Sequence, residues 1–336
     1  MTKKHKNIPI FIPHEGCPNC CVFCSQRKIT GVKDTELSLL TELGRCRALI
    51  EESLKTIDGT SETEIAFFGG SFTAIDEDRM IALLELGYEY VKNGRVSGIR
   101  LSTRPDFIDE HKLNILKQYG VKAVELGVQS MSDEVLMACK RGHKADDSRR
   151  SGRMIAEYGF EYVGQMMIGL PESTLETELM TAREIIESGA KCSRIYPTIT
   201  IEGTELYQMY LDGRYRPLEL DEAVERSSRV LELFLENGVK VLRIGLQSSE
   251  EMEKNPFYHS AFGELTWNAL YYRKMKELLK GIEEKSVVFT VEKTHVSKAV
   301  GQKRSNVVRL AQESGKNIKI KGSPFHAAGE VTAEII

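Results

Sequence analysis

The sequence predicts an α/β protein: a partial (β/α)6 barrel followed by a small basic α+β module. Two observations predict the barrel. Short apolar runs alternate with longer amphipathic ones through the first two-thirds of the chain, which implies parallel strands joined by crossover helices. Polar or glycine-rich residues follow nearly every apolar run, at the strand ends where α/β barrels keep their chemistry. A change of charge near residue 283 sets off the module.

The first strand is IPIFIP (8–13), followed at once by HEGC. A helical pattern at 37–57 leads to EIAFFGG (64–70), and one at 77–92 to GIRLST (98–103). A third, at 109–119, precedes AVELGVQS (123–130). A fourth, at 149–158, precedes YVGQMMIGL (162–170), and a fifth, at 175–188, precedes RIYPTIT (194–200). A helix at 221–237 then allows KVLRIGLQ (240–247) as a seventh strand. Each strand is short and rich in β-branched and aromatic residues, and each helix carries apolar residues at three- and four-residue spacing.

The 336 residues are 41% hydrophobic and 28% charged, an ordinary globular composition. The length suits one large barrel with an appendage. No apolar run approaches the roughly 18 residues of a membrane span, and IPIFIP is too short for a signal peptide. Seven cysteines, an odd number, do not suggest a secreted disulfide framework. A cytoplasmic protein is expected.

Four of those cysteines, Cys17, Cys20, Cys21 and Cys24, fall within eight positions, while Cys46, Cys139 and Cys192 are scattered. Zinc ribbons separate paired ligands by a dozen or more residues, which this loop does not. A redox CxxC would leave two thiols unused, and four unrelated buried thiols are a third reading. Iron–sulfur ligation is the fourth. Cys17-x3-Cys21-x2-Cys24 offers three thiolates to three irons of a cubane and leaves the fourth iron open.

CxxxCxxC, with Phe23 just before the last cysteine and a strand just before the loop, resembles the radical S-adenosylmethionine (SAM) superfamily. The resemblance implies a TIM-like partial barrel and a 4Fe–4S cluster on Cys17, Cys21 and Cys24. It also implies SAM chelated to the open iron and cleaved reductively to a 5′-deoxyadenosyl radical. An electron donor such as flavodoxin or ferredoxin is implied as partner. Cys20 falls outside the pattern as a spare thiol. Gly69-Gly70, after the second strand, resembles the motif that receives the SAM ammonium. Gly164-Gln-Met-Met-Ile-Gly169-Leu-Pro-Glu172 resembles the fifth-strand GxIxGxxE element beside adenine. Ser102, Arg104, Gln129 and Ser130 end the third and fourth strands, in reach of the SAM carboxylate and ribose. Glu125 ranks below them, and His14 and His143 stand near the same loops.

ELGVQSMSDEVLMACKRGH (125–143), RIYPTITIEGTELYQMYLDGRYRPL (194–218) and STRPD (102–106) resemble the radical SAM catalytic subunit of Elongator, which modifies wobble uridine in tRNA. That family continues into an acetyltransferase domain. Here 71 residues follow residue 265, without an R/QxxGxG/A loop for acetyl-CoA. Acetyl-CoA-dependent carboxymethylation is not expected of this chain acting alone.

Three segments are expected: a radical SAM core (1–265), a helical connection (266–284) and a basic module (285–336). Residues 285–322 hold nine Lys/Arg against Glu292 and Glu313, a balance of +7 in a chain of net charge −3. SVVFTVE (286–292), a helix at HVSKAV, the turn Gly301-Gln302-Lys303-Arg304, a helix at 305–314 with Ser305 as N-cap and a last strand at NIKIKG (317–322) resemble a KH domain. Its GxxG loop clamps nucleic-acid backbone; Arg304 stands in the second glycine's place. Lys298, Lys303, Arg304 and Arg309 are the candidate phosphate contacts, with RNA, tRNA above all, as partner and no membrane. Trp267, Tyr271 and Tyr272 are read as packing a helix rather than stacking bases. The alternative function is radical SAM oxidation of a small molecule, with the module as a docking element.

Overall fold

The computed structural model describes residues 5–12, 17, 21–24, 38–57 and 62–335. Its main body is one seven-stranded parallel sheet. The strands are β1 (His5–Ile12), β2 (Glu62–Gly69), β3 (Gly98–Thr103), β4 (Val121–Gln129), β5 (Glu161–Ile168), β6 (Cys192–Pro197) and β7 (Lys240–Ile244). Spatial order equals chain order, so each crossover advances one place and the sheet curls into a half-barrel. The expected partial barrel is present with seven strands, since the optional strand at 240–247 pairs with β6.

Among the described residues, eight helices connect and flank these strands: α1 (Leu39–Thr56), α2 (Glu77–Lys92), α3 (Glu110–Gln118), α4 (Asp133–Ala138), α5 (Ala145–Glu157), α6 (Leu175–Glu187), α7 (Glu205–Leu211) and α8 (Leu220–Glu236). Most begin at a polar cap. The side chains of Ser38, Asp76, Asp109, Ser132, Thr174 and Thr204 each accept a backbone N–H in the first turn, which satisfies donors the helix leaves open. One face of the sheet meets the helices. Ile8, Ile65, Phe67, Leu101, Val124, Met166 and Ile195 form its core with residues such as Ile50, Leu83 and Phe234. Gly164 lies on that face, where a Cβ would come within 2.5 Å of Ile185 in α6. This glycine admits a close helix.

The other face is the inner face of the curl, and alternation puts Glu64, Arg100, Glu125, Gln165 and Arg194 there. Arg100 donates to Glu64 (2.6 Å) and Glu125 (2.9 Å). Arg194 and Gln165 complete the Glu125 carboxylate. The barrel floor is thus a closed ion network, and Glu125 belongs to it.

Beyond the sheet come α9 (Glu250–Glu253), α10 (Phe262–Leu278), β8 (Ser286–Glu292), α11 (Val296–Val300), α12 (Ser305–Ser314), β9 (Asn317–Ser323) and β10 (Val331–Ile335). β8 runs parallel to β9 and antiparallel to β10, in the order β10–β8–β9. NIKIKG is therefore not the last strand, because β10 covers the other edge of β8. Ser305 is the first helical residue rather than the cap, and Gly315 ends α12 in left-handed backbone (φ 68°). α10 spans the expected boundary at 265. Tyr271 and Met275 enter the second core beside Val287 and Phe289, and Trp267 packs against both cores. The packing reading of Trp267 and Tyr271 holds; Tyr272 lies at the margin under Arg309.

Candidate functional site at the C-terminal end of the half-barrel

The cysteine loop leaves β1 at Ile12, which pairs with Gly69 at the end of β2. Cys21 is buried; Cys17 and Cys24 are partly exposed. Cys24 N–H donates to Cys21 O at 3.0 Å, Val22 N–H to Cys139 O at 3.1 Å, and Leu206 N–H to Val22 O at 2.7 Å. These bonds tie the loop to the segments after β4 and β6. Val22 and Phe23 pack with Val135, Leu170, Leu206 and Tyr215, so Phe23 anchors the loop beside the β5 end. Cys20 and His14 lie outside the described residues.

Two guanidinium groups reach the sulfurs. Arg104 Nη1 lies 3.7 Å from Cys17 Sγ, and Arg141 Nη1 lies 3.4 Å from Cys21 Sγ. Arg104 also pairs with Asp106 through two hydrogen bonds of 2.9 and 2.8 Å. Its Nη2 donates to Arg141 O as well, at 2.7 Å.

The remaining expected residues ring the same end of the sheet. Gly69 has φ +109°, and a Cβ there would come within 2.6 Å of Ile12 O; only glycine fits. Gly70, next along, is partly buried, as is Ser102 on β3. Gln129 closes β4 with φ +64°, after a register shift against β5. Gly169 turns the chain after β5 with φ +78°. Its N–H donates to Glu178 (2.8 Å) and its carbonyl accepts from Tyr215 OH (2.6 Å). Burial pushes the Glu178 carboxyl up, against the pull of Gly169 N–H and Arg226. His143 is buried, with Nδ1 on Lys144 O (3.2 Å); burial first, then Arg141, pushes its pKa down to about 4.

Among the described residues, no three Cys, His, Asp or Glu side chains already form a metal site. The donor set nevertheless fits an iron–sulfur cluster. Three thiols share one pinned loop, two guanidiniums face two of the sulfurs, and buried atoms beside them lack partners: Gln129 Oε1, Arg141 Nε and His143 Nε2. Orphaned polar atoms in such a place fit a site built for a polar ligand. Cys17, Cys21 and Cys24 would hold the cluster. Gly69, Gly70, Ser102, Gln129 and Gly169 lie at or just past the C-terminal ends of β2 to β5.

Sequence reading passed over Arg100, Arg141, Arg194 and Glu178. The signal for Arg100 and Arg194 is a lone charge inside an otherwise apolar strand. Arg141 and Glu178 left no such mark.

In the C-terminal unit, Lys303 and Arg304 are exposed, and both take left-handed backbone (φ +53° and +65°). Lys298 points inward. Its Nζ donates to His295 Nε2 at 2.7 Å and lies 4.6 Å from the Trp267 ring centroid, and burial pushes its pKa down. Arg309 donates to Glu313 (2.9 Å) and lies over Tyr272 (4.2 Å).

Comparison with known proteins agrees with this geometry. The Radical SAM superfamily model matches residues 11–185, and a Radical SAM C-terminal domain model matches 190–271. The tRNA uridine(34) acetyltransferase of Methanocaldococcus infernus is 30% identical over 200 residues, 53% of this chain and 37% of that protein. Human Elongator complex protein 3 is 29% identical over 261 residues, 66% of this chain and 48% of that protein. The chain therefore spans less than half the length of these relatives. The solved structure of Methanocaldococcus infernus Elp3 superposes with a TM-score of 0.61 at 23% identity, covering 82% of this chain and 68% of that one. Among the described residues, no helix is long and apolar enough to cross a membrane. With the superfamily model spanning more than half its length and a cysteine loop at the matching strand end, the chain belongs to the radical SAM superfamily, whose enzymes bind a 4Fe–4S cluster and S-adenosylmethionine.

Proposed function

We propose that this enzyme modifies RNA, and tRNA in particular. When bound, the cluster supplies one electron that splits SAM into methionine and a 5′-deoxyadenosyl radical. The observation that carries the RNA reading is the exposed, left-handed Lys303–Arg304 turn. Asn306, just past the turn, donates to Asn268 O at 2.9 Å and Ala299 O at 3.0 Å. That fixes the turn beside α10. Five residues before Asn268, about 8 Å along the helix, Gly263 lies against the Ile244 carbonyl at the C-terminal end of β7. The exposed cations therefore stand beside the first half of α10, the long helix that follows β7. There they could hold RNA by its phosphates.

The turn fits the KH-like reading in one further respect. Arg304 takes the left-handed backbone a glycine would adopt, which supports the reading of this turn as a loop with arginine in the second glycine's place. The relatives' names support tRNA as the RNA.

The test is RNA binding by anisotropy across a salt series, with a tRNA or anticodon stem-loop as ligand. For about three phosphate contacts the slope of log K against log salt is expected near −2. Lys303→Ala with Arg304→Ala is expected to flatten it by about 1.4, at about 0.7 per contact, and to leave SAM cleavage without RNA unchanged. An unchanged slope removes the turn from the interface. No RNA binding by the wild type at low salt favours the small-molecule reading.

A further inference from the structure

A cleft of about 740 Å³ runs between β7 and the C-terminal unit, within the size range of ligand sites. Consecutive residues of β7, from Lys240 to Ile244, line it. Successive strand residues point to opposite faces, so the cleft follows the edge of the strand rather than one face. Among the described residues no strand pairs along that edge. The far wall is Trp267 of α10 with His295 and Lys298. Gly263 and Trp267, one helical turn apart on α10, join the two walls. Gly263 packs on Ile244 O, where a Cβ would come within 2.7 Å. Trp267 carries Lys298 Nζ at 4.6 Å from its ring centroid.

Charge marks this cleft. Arg243 and Lys298 are half-buried, and among the described residues no carboxylate forms an ion pair with either. Arg79, Arg149 and Arg273, also partly buried, each pair with a glutamate. Arg243 Nε donates to Gly245 O at 3.0 Å, one of the five donors of its guanidinium. Lys298 Nζ donates to His295 Nε2 at 2.7 Å, and Tyr271 OH holds the other ring nitrogen at 2.8 Å. Burial first, then Lys298, pushes the His295 pKa down, so the ring is neutral and offers no counter-charge. Glu264 and Glu292 act on Lys298 only through space. Lys240 adds a cation at the exposed rim. Cations gathered in one cleft with Glu264 as its only carboxylate call for an anion.

We propose that this cleft binds a nucleotide, with its phosphate taken by Lys298 and Arg243 and its base on the apolar wall of Leu235, Leu242 and Trp267. The source is a nucleotide of the bound RNA, and in this the inference rests on the RNA reading above. Asn306 holds the Lys303–Arg304 turn beside Asn268, the residue next to Trp267, so one strand can meet both the turn and the cleft. A free mononucleotide offers the same chemistry, and the experiment separates the two.

Trp267 is the one tryptophan of the chain, so intrinsic fluorescence reads the cleft directly. The probes are an anticodon stem-loop, uridine 5′-monophosphate, whose base is not the adenine of SAM, and inorganic phosphate. The variants are Arg243→Gln and Lys298→Gln. Lys280→Gln is the control, since Lys280 is exposed and paired with Glu277 beyond the end of α10. The stem-loop and the mononucleotide are each expected to change Trp267 emission, and phosphate to displace the mononucleotide. Arg243→Gln is expected to weaken both roughly tenfold, the worth of one hydrogen bond to a charged group. It should also flatten the RNA salt slope by about 0.7. Lys280→Gln is expected to match the wild type. If Lys298→Gln fails to fold, Arg243→Gln decides. A mononucleotide response with RNA affinity unchanged in Arg243→Gln supports the cleft and assigns it to the free nucleotide. RNA binding by anisotropy that leaves Trp267 emission and the Arg243→Gln affinity unchanged, with no response to the mononucleotide, overturns the inference and leaves the RNA reading standing. A mononucleotide response without RNA binding overturns the RNA reading alone. Neither response overturns both.

Discussion

Glu125 and Arg194 meet through two hydrogen bonds of 2.8 and 2.9 Å, reaching from β4 to β6 across the inner face of β5. Glu125 also accepts from Arg100 and Gln165 and is 1% exposed. It is the central anion of the barrel floor. Glu125→Leu leaves two buried arginines short of a counter-ion and is expected to cost about 3–5 kcal/mol. Glu125→Gln keeps hydrogen bonds and is expected to cost less. Denaturant unfolding of both variants checks this; equal stability of Glu125→Leu and wild type would contradict it.

Acid is expected to erode stability in two stages. His143 has its pKa depressed to about 4 by burial and by Arg141. The unfolded chain protonates at about 6.5, so unfolding takes up a proton inside that window. The contribution is full above about pH 6.5 and falls as pH drops toward 4, by about 2 kcal/mol between pH 7 and 5. Glu64 follows at lower pH. Burial pushes its carboxyl up, but Arg100 and His5 outweigh that and hold it below the usual range. Its contribution is present above the ordinary carboxylate pKa and lost as pH falls through the lowered one. Unfolding measured from pH 7 to 5 should be flatter in His143→Gln than in the wild type.

Gly69→Ala places a methyl group 2.6 Å from Ile12 O in backbone of φ +109°. The cost is expected to be about 2 kcal/mol or more, with loss of 5′-deoxyadenosine formation. Gly70→Val is expected to block SAM cleavage while sparing the cluster. Melting curves, iron content and deoxyadenosine assays separate the two; wild-type cleavage in Gly70→Val would take that glycine out of the site.

Cys17→Ala, Cys21→Ala and Cys24→Ala are each expected to lose the cluster or leave it labile, and Cys20→Ala to keep about four irons and four sulfides. Iron and sulfide analysis after anaerobic reconstitution decides. A cluster destroyed by Cys20→Ala and spared by Cys17→Ala would reassign the ligands.

Arg304→Gly is expected to raise stability by about 1 kcal/mol, because a left-handed arginine is strained where glycine is not. The same change should weaken RNA binding and flatten its salt slope by about 0.7. Thermal unfolding and the anisotropy series read the two effects in one variant. A more stable protein with undiminished binding would show that the arginine contacts nothing.

Strand positions were legible because period-2 runs such as GIRLST and SVVFTVE sit between clear breaks. The cysteine loop was legible because its spacing is local. α4 and α7 were harder to see, since helices of six or seven residues show barely two turns of periodicity. β10 has mostly exposed residues and so carries no buried stripe. Ser305 reads as a cap because serine so often is one; what moves the helix start is the backbone of Arg304. Arg141 was illegible for another reason. Its partner Cys21 is 120 residues away in sequence, and no local pattern encodes a contact that only the fold creates.

The half-barrel does not close on itself: β1 and β7 are the first and last strands of the sheet, and among the described residues no strand joins them. A closed ring admits only what can enter through its mouth, such as a small molecule or a free end. A wall with a gap can also take a ligand sideways. The middle of a long strand, or a folded loop too wide to thread, can be laid into the slot without cutting the chain or finding a terminus. For an enzyme whose reagent is a short-lived radical, that geometry separates two tasks. The floor and the cysteine loop stay rigid, while the size of what is treated is set by whatever stands at the gap.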